Sequence, residues 1–214
     1  MRSKFDEQLA LLNRDLTKMG SLCEEALALA AKALANADGQ TAAKIAPIDS
    51  EIDQMERTIE SLCLKLLLQQ QPVARDLRQI SAALKMITDM ERIGDQASDI
   101  AEIIGFLNGR IGTDAQYICQ MAVAAMRMVT ESVEAYVKRD VSMAEATIQH
   151  DDVVDDLFLK VKESLIQMIS ENPKDGEYAL DLLMIAKYFE RIGDHATNIA
   201  EWVVFSVTGV HEQG

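Results

Sequence analysis

The stretch Glu91-Arg92-Ile93-Gly94-Asp95-Gln96-Ala97-Ser98-Asp99-Ile100-Ala101-Glu102 returns later in the chain as Glu190-Arg191-Ile192-Gly193-Asp194-His195-Ala196-Thr197-Asn198-Ile199-Ala200-Glu201. Nine of the twelve positions are identical, and two of the other three are Ser/Thr and Asp/Asn exchanges. Further upstream, residues 48–53 align with 150–155, and both segments keep aspartates four residues apart. Self-similarity of this kind indicates that the chain contains two copies of one structural unit.

Each copy is predicted to form three long helices. Apolar residues recur at spacings of three and four, and most prolines and glycines fall where this periodicity lapses. The second helix ends at Gln71, with Pro47 near its start; the others are expected at about 5–36, 74–107, 113–138, 141–171 and 175–208. We therefore predict an all-α fold of six long helices arranged as two tandem, pseudo-symmetric three-helix bundles, with domains at 1–108 and 113–214.

Composition restricts the classes of partner. The chain has 35 acidic and 21 basic residues among 214, a net charge of −14, and no stripe of Lys or Arg that could follow a phosphate backbone. Nucleic acid is therefore not an expected partner.

Cys23, Cys63 and Cys119 lack the spacing of a zinc site and are expected to be buried, reduced thiols. No signal peptide or spanning segment is apparent, so we expect a cytoplasmic protein that meets a membrane only through partners.

Carboxylates recur along one face of the third helix and again along one face of the sixth. Their spacing of three or four residues places them about 100° from the apolar stripe, at the edge of the buried face. Asp49 and Asp53 on the second helix, and Asp151 and Asp155 on the fifth, follow apolar residues in the same way. The acids on the repeated stretches are Glu91, Asp95, Asp99 and Glu102 in the first copy and Glu190, Asp194 and Glu201 in the second.

A bound cation is the natural neutraliser of such clusters, since like charges this close repel one another by several kcal/mol. Oxygen-only ligands suit hard ions such as Fe(III), Mn, Mg or Ca. Ordinary surface pairing with Arg92 or Arg191 is the alternative for any single acid, but duplication of the whole block favours a metal. Gly94 and Gly193, each inside a helix, indicate close approach of a neighbouring helix or a ligand. His195 is expected to lie on the surface or behind the ligands, because Gln96 is its counterpart.

No nucleophile and base are arranged for catalysis, and there is no Gly-rich phosphate loop. The chain is therefore not expected to be an enzyme. A carboxylate-bridged di-iron enzyme on a helical bundle is one alternative, but the sequence has no Glu-x-x-His pair. A metal-free helical scaffold is another.

The segment 70–78, Gln-Gln-Pro-Val-Ala-Arg-Asp-Leu-Arg, leading into the repeated Glu-Arg-Ile-Gly-Asp motifs, resembles the PhoU family over essentially the whole chain. The resemblance implies polynuclear metal sites, with iron first and zinc, manganese, magnesium or calcium as alternatives. Asn198 stands where the first copy has Asp99, which leaves the second site with less charge. The metal ligands implied are Glu91, Asp95 and Asp99 with Asp49 and Asp53, and Glu190 and Asp194 with Asp151 and Asp155.

The resemblance also implies a role. PhoU-like proteins are negative regulators of phosphate uptake and phosphate-starvation signalling. The partners implied are the sensor histidine kinase of the phosphate regulon and the ATPase subunit of the phosphate ABC transporter. The sequence does not fix the oligomeric state, and a homodimer is one arrangement that it allows.

Overall fold

The computed structural model of this chain describes residues 2–70, 72–107, 109–110 and 115–210. Every regular element in these ranges is helical, which confirms the predicted all-α class. Six of the helices are long, as predicted: α1 (Arg2–Asn36), α3 (Ile45–Gln70), α4 (Ala74–Phe106), α5 (Gln116–Lys138), α7 (Asp151–Glu171) and α8 (Gly176–Thr208). Two short helices, α2 (Gly39–Ala42) and α6 (Val141–Gln149), precede α3 and α7.

The single helix predicted over 141–171 is divided at His150. The backbone N–H of His150 is shared between the carbonyls of Ala146 and Thr147, and Val153 donates to the His150 carbonyl at 3.1 Å. These bonds tighten the turn where α6 ends and α7 begins, so Asp151 starts a new helix. Pro47 lies in the first turn of α3, where its missing N–H removes no helical hydrogen bond. Of the predicted boundary at 108–112, residues 108, 111 and 112 lie outside the described residues.

The turn that follows the first helix has the same backbone conformation in both copies. Ala37 and Arg139 both adopt left-handed backbone, with φ of 50° and 58°. The next residue in each copy, Asp38 or Asp140, caps the following short helix with its carboxylate. The duplication seen in the sequence is therefore also present in backbone geometry.

Two antiparallel helix pairs join the copies. In the α4–α8 pair, Asp89 meets His195 and Asp99 meets Tyr188, so the helices run in opposite directions. In the α1–α5 pair, Gly20 allows close approach, since a Cβ there would lie 3.0 Å from a methyl group of Val133. The buried apolar side chains of both copies form one continuous core.

Two of the three cysteines are buried, as predicted. Cys23 and Cys63 are buried in the core, whereas Cys119 is partly exposed. Cys119 lies on the outer side of α5, beside the shallow groove between α5 and α7, and was wrongly expected to be buried. None of the described helices is both long and apolar enough to cross a membrane.

Candidate metal sites

The first acidic cluster, formed by Asp49, Asp53, Glu91 and Asp95, lies between α3 and α4. One carboxylate oxygen from each of Asp49, Asp53 and Asp95 lies within 4.8 Å of the other two. Among the described residues, only this group of three brings ligand atoms so close together. Gly94 makes the approach possible, because a Cβ there would lie 2.7 Å from Oδ1 of Asp49. The glycine inside α4 thus gives α3 room to present its acid.

Asp49 has two differently placed oxygens. Its Oδ2 accepts a hydrogen bond of 2.9 Å from the hydroxyl of Ser98, while its Oδ1 is buried and has no hydrogen-bond partner among the described residues. Burial raises the pKa of the Asp49 carboxyl, and the charges of Asp95, Asp53 and Asp99 raise it further, against the opposing effect of Ser98. A buried carboxylate oxygen with no donor is a group that a cation would satisfy.

Basic residues reach only the outer side of this cluster. Arg92 lies 3.1 Å from Asp95 and 3.5 Å from Glu91, and Arg57 lies 3.5 Å from Asp53. Arg92 is 56% exposed, so its attraction is weakened by solvent. Even so, the pKa of Glu91 is raised, mainly by burial and then by the charge of Asp95. Surface pairing therefore leaves the cluster only partly neutralised.

The second acidic cluster, formed by Asp151, Asp155, Glu190 and Asp194, occupies the equivalent place between α7 and α8. A Cβ at Gly193 would lie 3.0 Å from Oδ1 of Asp151, and this oxygen is again buried without a partner among the described residues. The pKa of Asp151 is raised to about 6, mainly by burial and then by the charges of Asp194, Asp155 and Glu190. The chemistry of the first cluster is repeated here.

The two clusters are not identical. In the second, the ammonium group of Lys187 lies 2.6 and 2.5 Å from the two carboxylate oxygens of Glu190, where the first copy has Thr88. The hydroxyl of Thr197, the counterpart of Ser98, is buried and makes no hydrogen bond to a described residue. Asp151 therefore lacks the stabilising donor that Asp49 has. The second cluster therefore has a closer basic group at its rim and one hydrogen-bond donor fewer at its base.

Asp99 lies at the contact between the copies. Burial and then the charge of Asp99 raise the pKa of Tyr188 on α8. Asn198, the counterpart of Asp99 in the second copy, donates to Oδ1 of Asp89 at 3.1 Å. Nδ1 of His195 lies 2.8 Å from the same oxygen. The position held by Asp99 in the first stretch and by Asn198 in the second thus faces the opposite copy, and Asp99 acts on Asp49 of the first cluster through its charge.

Three residues important here were not predicted from the sequence. Ser98 and Asp89 carry no periodic signal of their own, and their roles depend on how α4 packs against its neighbours. Glu56 could have been found, because it continues the spacing of Asp49 and Asp53 along α3. Burial raises its pKa, and its charge also acts on Glu91.

The carboxylate ligands of both clusters fit a hard cation. Every candidate ligand is a carboxylate, which Mg²⁺, Ca²⁺, Mn²⁺ and Fe³⁺ prefer, and each cluster contains a buried oxygen with no described donor. A cation held between α3 and α4, or between α7 and α8, would remove the repulsion among the acids and join the two helices.

Comparison with known proteins gives a consistent result. A family model described as the PhoU domain matches residues 16–104 and again 118–203. A phosphate-specific transport system accessory protein PhoU homolog from Clostridium acetobutylicum is 36% identical over 210 residues, covering 97% of this chain and 96% of that protein. The crystal structure of PhoU from Pseudomonas aeruginosa superposes with a TM-score of 0.92 at 34% identity, covering 96% of this chain and all of the other. The crystal structure of PhoU from Streptococcus pneumoniae, described as a phosphate transport system regulatory protein, gives 0.88 at 26% identity.

Proposed function

Because this chain belongs to the PhoU family, we propose that it is a metal-binding accessory protein that negatively regulates phosphate uptake and phosphate-starvation signalling. The names of its relatives support the link to phosphate transport. The observation that carries the metal-binding part is the group of Asp49, Asp53 and Asp95, with the unpartnered Oδ1 of Asp49 at its base.

The ligands we propose are the two clusters as defined above, with Asp99 contributing charge at the rim of the first. Iron is the first candidate from the family resemblance, and zinc, manganese, magnesium and calcium are the alternatives. The bound ion would supply positive charge between two helices. Asp49 and Asp53 would then be held against Asp95, which makes the shape of the α3–α4 surface depend on metal.

The regulatory part acts through protein contacts made in the cytoplasm. We expect the surfaces around the clusters to dock the sensor histidine kinase of the phosphate regulon and the ATPase subunit of the phosphate ABC transporter. The exposed carboxylates and the net charge of −14 favour basic surfaces on these partners. No catalytic step is required for this role.

A deletion strain tests the proposed function. Loss of the gene should switch on phosphate-starvation genes in phosphate-rich medium, and the wild-type gene should restore repression. Asp49→Asn with Asp95→Asn should restore it poorly, whereas Glu145→Gln, a matched exposed change on α6, should restore it fully. Normal repression in the deletion strain, or failure of membrane pull-downs to capture either the kinase or the ATPase, would contradict the proposal.

A further inference from the structure

Three arginines gather where α4 begins and α5 ends. Arg75 and Arg78 are three residues apart on α4 and so share a face with Gln79. Nη1 of Arg139, just after α5, lies 3.4 Å from Oε1 of Gln79, which brings the third guanidinium group to that face. The cluster combines two positive side chains from the first copy with one from the second.

None of these arginines forms an ion pair in the part of the chain that the structure describes, and the nearest acid named for the cluster is Asp76, in the first turn of α4, whose charge acts on Arg139. Elsewhere, four arginines pair with carboxylates: Arg57, Arg92, Arg110 and Arg127. The only described hydrogen bond of this arginine cluster is the one from Arg139 to Gln79, and Nε of Arg78 is buried without any described acceptor. Three guanidinium groups without ion pairs therefore lie together, and their charge is offset only in part, by Asp76 and by the C-terminal end of α8 beside Arg78.

Hydrogen bonds hold Gln79, the residue that Arg139 contacts, in a fixed position. The amide of Gln79 donates to Oδ1 of Asn13 at 3.4 Å, which leaves Oε1 to accept from Arg139. The Gln79 carbonyl accepts a hydrogen bond of 3.0 Å from the buried hydroxyl of Tyr136. On the other side, the Arg78 guanidinium packs against the end of α8, where a Cβ at Gly209 would lie 3.5 Å away. The cluster is therefore positioned by α1, α5 and α8.

The turn itself does not require an arginine. Arg139 has a φ of 58°, a conformation that non-glycine residues adopt at a cost of about 1 kcal/mol. The equivalent turn in the first copy has Ala37 in the same conformation, with a φ of 50°. Since alanine suffices there, the side chain of Arg139 serves something other than the turn.

A bound anion would reduce the electrostatic repulsion among the three guanidinium groups. Burial, and then the charges of Arg75 and Arg78, lower the pKa of Arg139, while Tyr136 and Asp76 oppose the shift, so an anion placed among the three guanidinium groups would reduce their mutual repulsion. Guanidinium groups present paired donors that match the oxygens of a phosphate group. The first turn of α4 adds the positive end of a 33-residue helix.

We propose that Arg75, Arg78 and Arg139 form a binding site for a phosphate group, carried by inorganic phosphate or by a phosphate ester. The site is separate from both acidic clusters. Its success or failure therefore leaves metal binding, and the proposed function built on it, untouched.

Calorimetric titration of the full chain with inorganic phosphate and with AMP tests the site. Arg139→Ala, which reproduces the residue at position 37, and Arg78→Gln should each weaken binding about tenfold or more, as expected for loss of a charged hydrogen bond. Arg127→Ala removes the same charge from α5 outside the site and should change affinity less than about twofold. Circular dichroism melting of each variant checks that it is folded.

Each outcome decides the proposal. Binding of inorganic phosphate that is lost in either site variant supports a site for the free ion, and binding of AMP alone assigns a phosphate ester. Binding of neither probe to the wild type, or equal affinities in Arg139→Ala, Arg78→Gln and Arg127→Ala, would overturn it.

Discussion

At the scale of single residues, Gly94 and Asp49 form one unit, because the missing side chain of the first makes room for the carboxylate of the second. We predict that Gly94→Ala destabilises the protein by about 1–3 kcal/mol, since the new methyl group overpacks against Asp49 and Ile52. The measurement is the free energy of unfolding from urea titration.

Gly105→Ala is the matched control on the same helix. Apart from its chain neighbours and the backbone of its own helix, no described atom lies within 4 Å of the position of its Cβ, so alanine should stabilise the protein by about 0.5–1 kcal/mol through helix propensity alone. Equal effects of the two substitutions would show that Gly94 has no packing role.

Asp151 gives a prediction for pH. Its pKa is raised from 3.8 to about 6, so the folded chain holds a proton that the unfolded chain has already lost in that range. The free energy of unfolding of the metal-free protein should therefore fall as pH rises through this window and stay lower above it.

Asp151→Asn should remove that contribution to the pH dependence and stabilise the metal-free protein at neutral pH by on the order of 1 kcal/mol, after allowing for solvent screening. Urea titrations with a chelator, below and above the window, provide the measurement, with exposed Glu145→Gln as control. A variant whose stability changes with pH as much as the wild type would count against the burial of this charge.

At the scale of helices, the contact between α4 and α8 depends on Asp89, which faces both Asn198 and His195. Asp89→Ala should cost about 1–3 kcal/mol, because it leaves the partly buried His195 imidazole without its acceptor and removes a hydrogen bond from the exposed Asn198 amide. Chemical denaturation measures the loss. Thr88→Ala, on the neighbouring exposed position, should have little effect.

The helices also show how far sequence reasoning reaches. Periodicity predicted the six long helices and the edge position of Asp49, Asp53 and Asp95, because both depend on spacing along one helix. It missed the division at His150, where a local hydrogen-bond pattern interrupts an unbroken apolar stripe. Nor could it place Asp99 beside Tyr188, since that contact depends on how two distant helices cross.

At the scale of the whole molecule, duplication has produced two related clusters with different surroundings. Lys187 lies 2.6 and 2.5 Å from the two carboxylate oxygens of Glu190 in the second cluster, whereas the arginines at the rim of the first lie 3.1–3.5 Å from its acids. We predict that the first cluster binds a divalent ion such as Mn²⁺ more tightly than the second. Titrating the Asp95→Asn and Asp194→Asn variants separately by calorimetry compares them, and a tighter second cluster would refute this ranking.

Elemental analysis of tag-free protein, purified without chelator, tests the central claim of metal binding most directly. The wild type should contain metal, Asp95→Asn should lose the share held by the first cluster, and Asp95→Asn with Asp194→Asn should contain almost none. Wild-type metal content in the double variant, or a wild type that never holds metal even after equilibration with iron or manganese, would contradict the account.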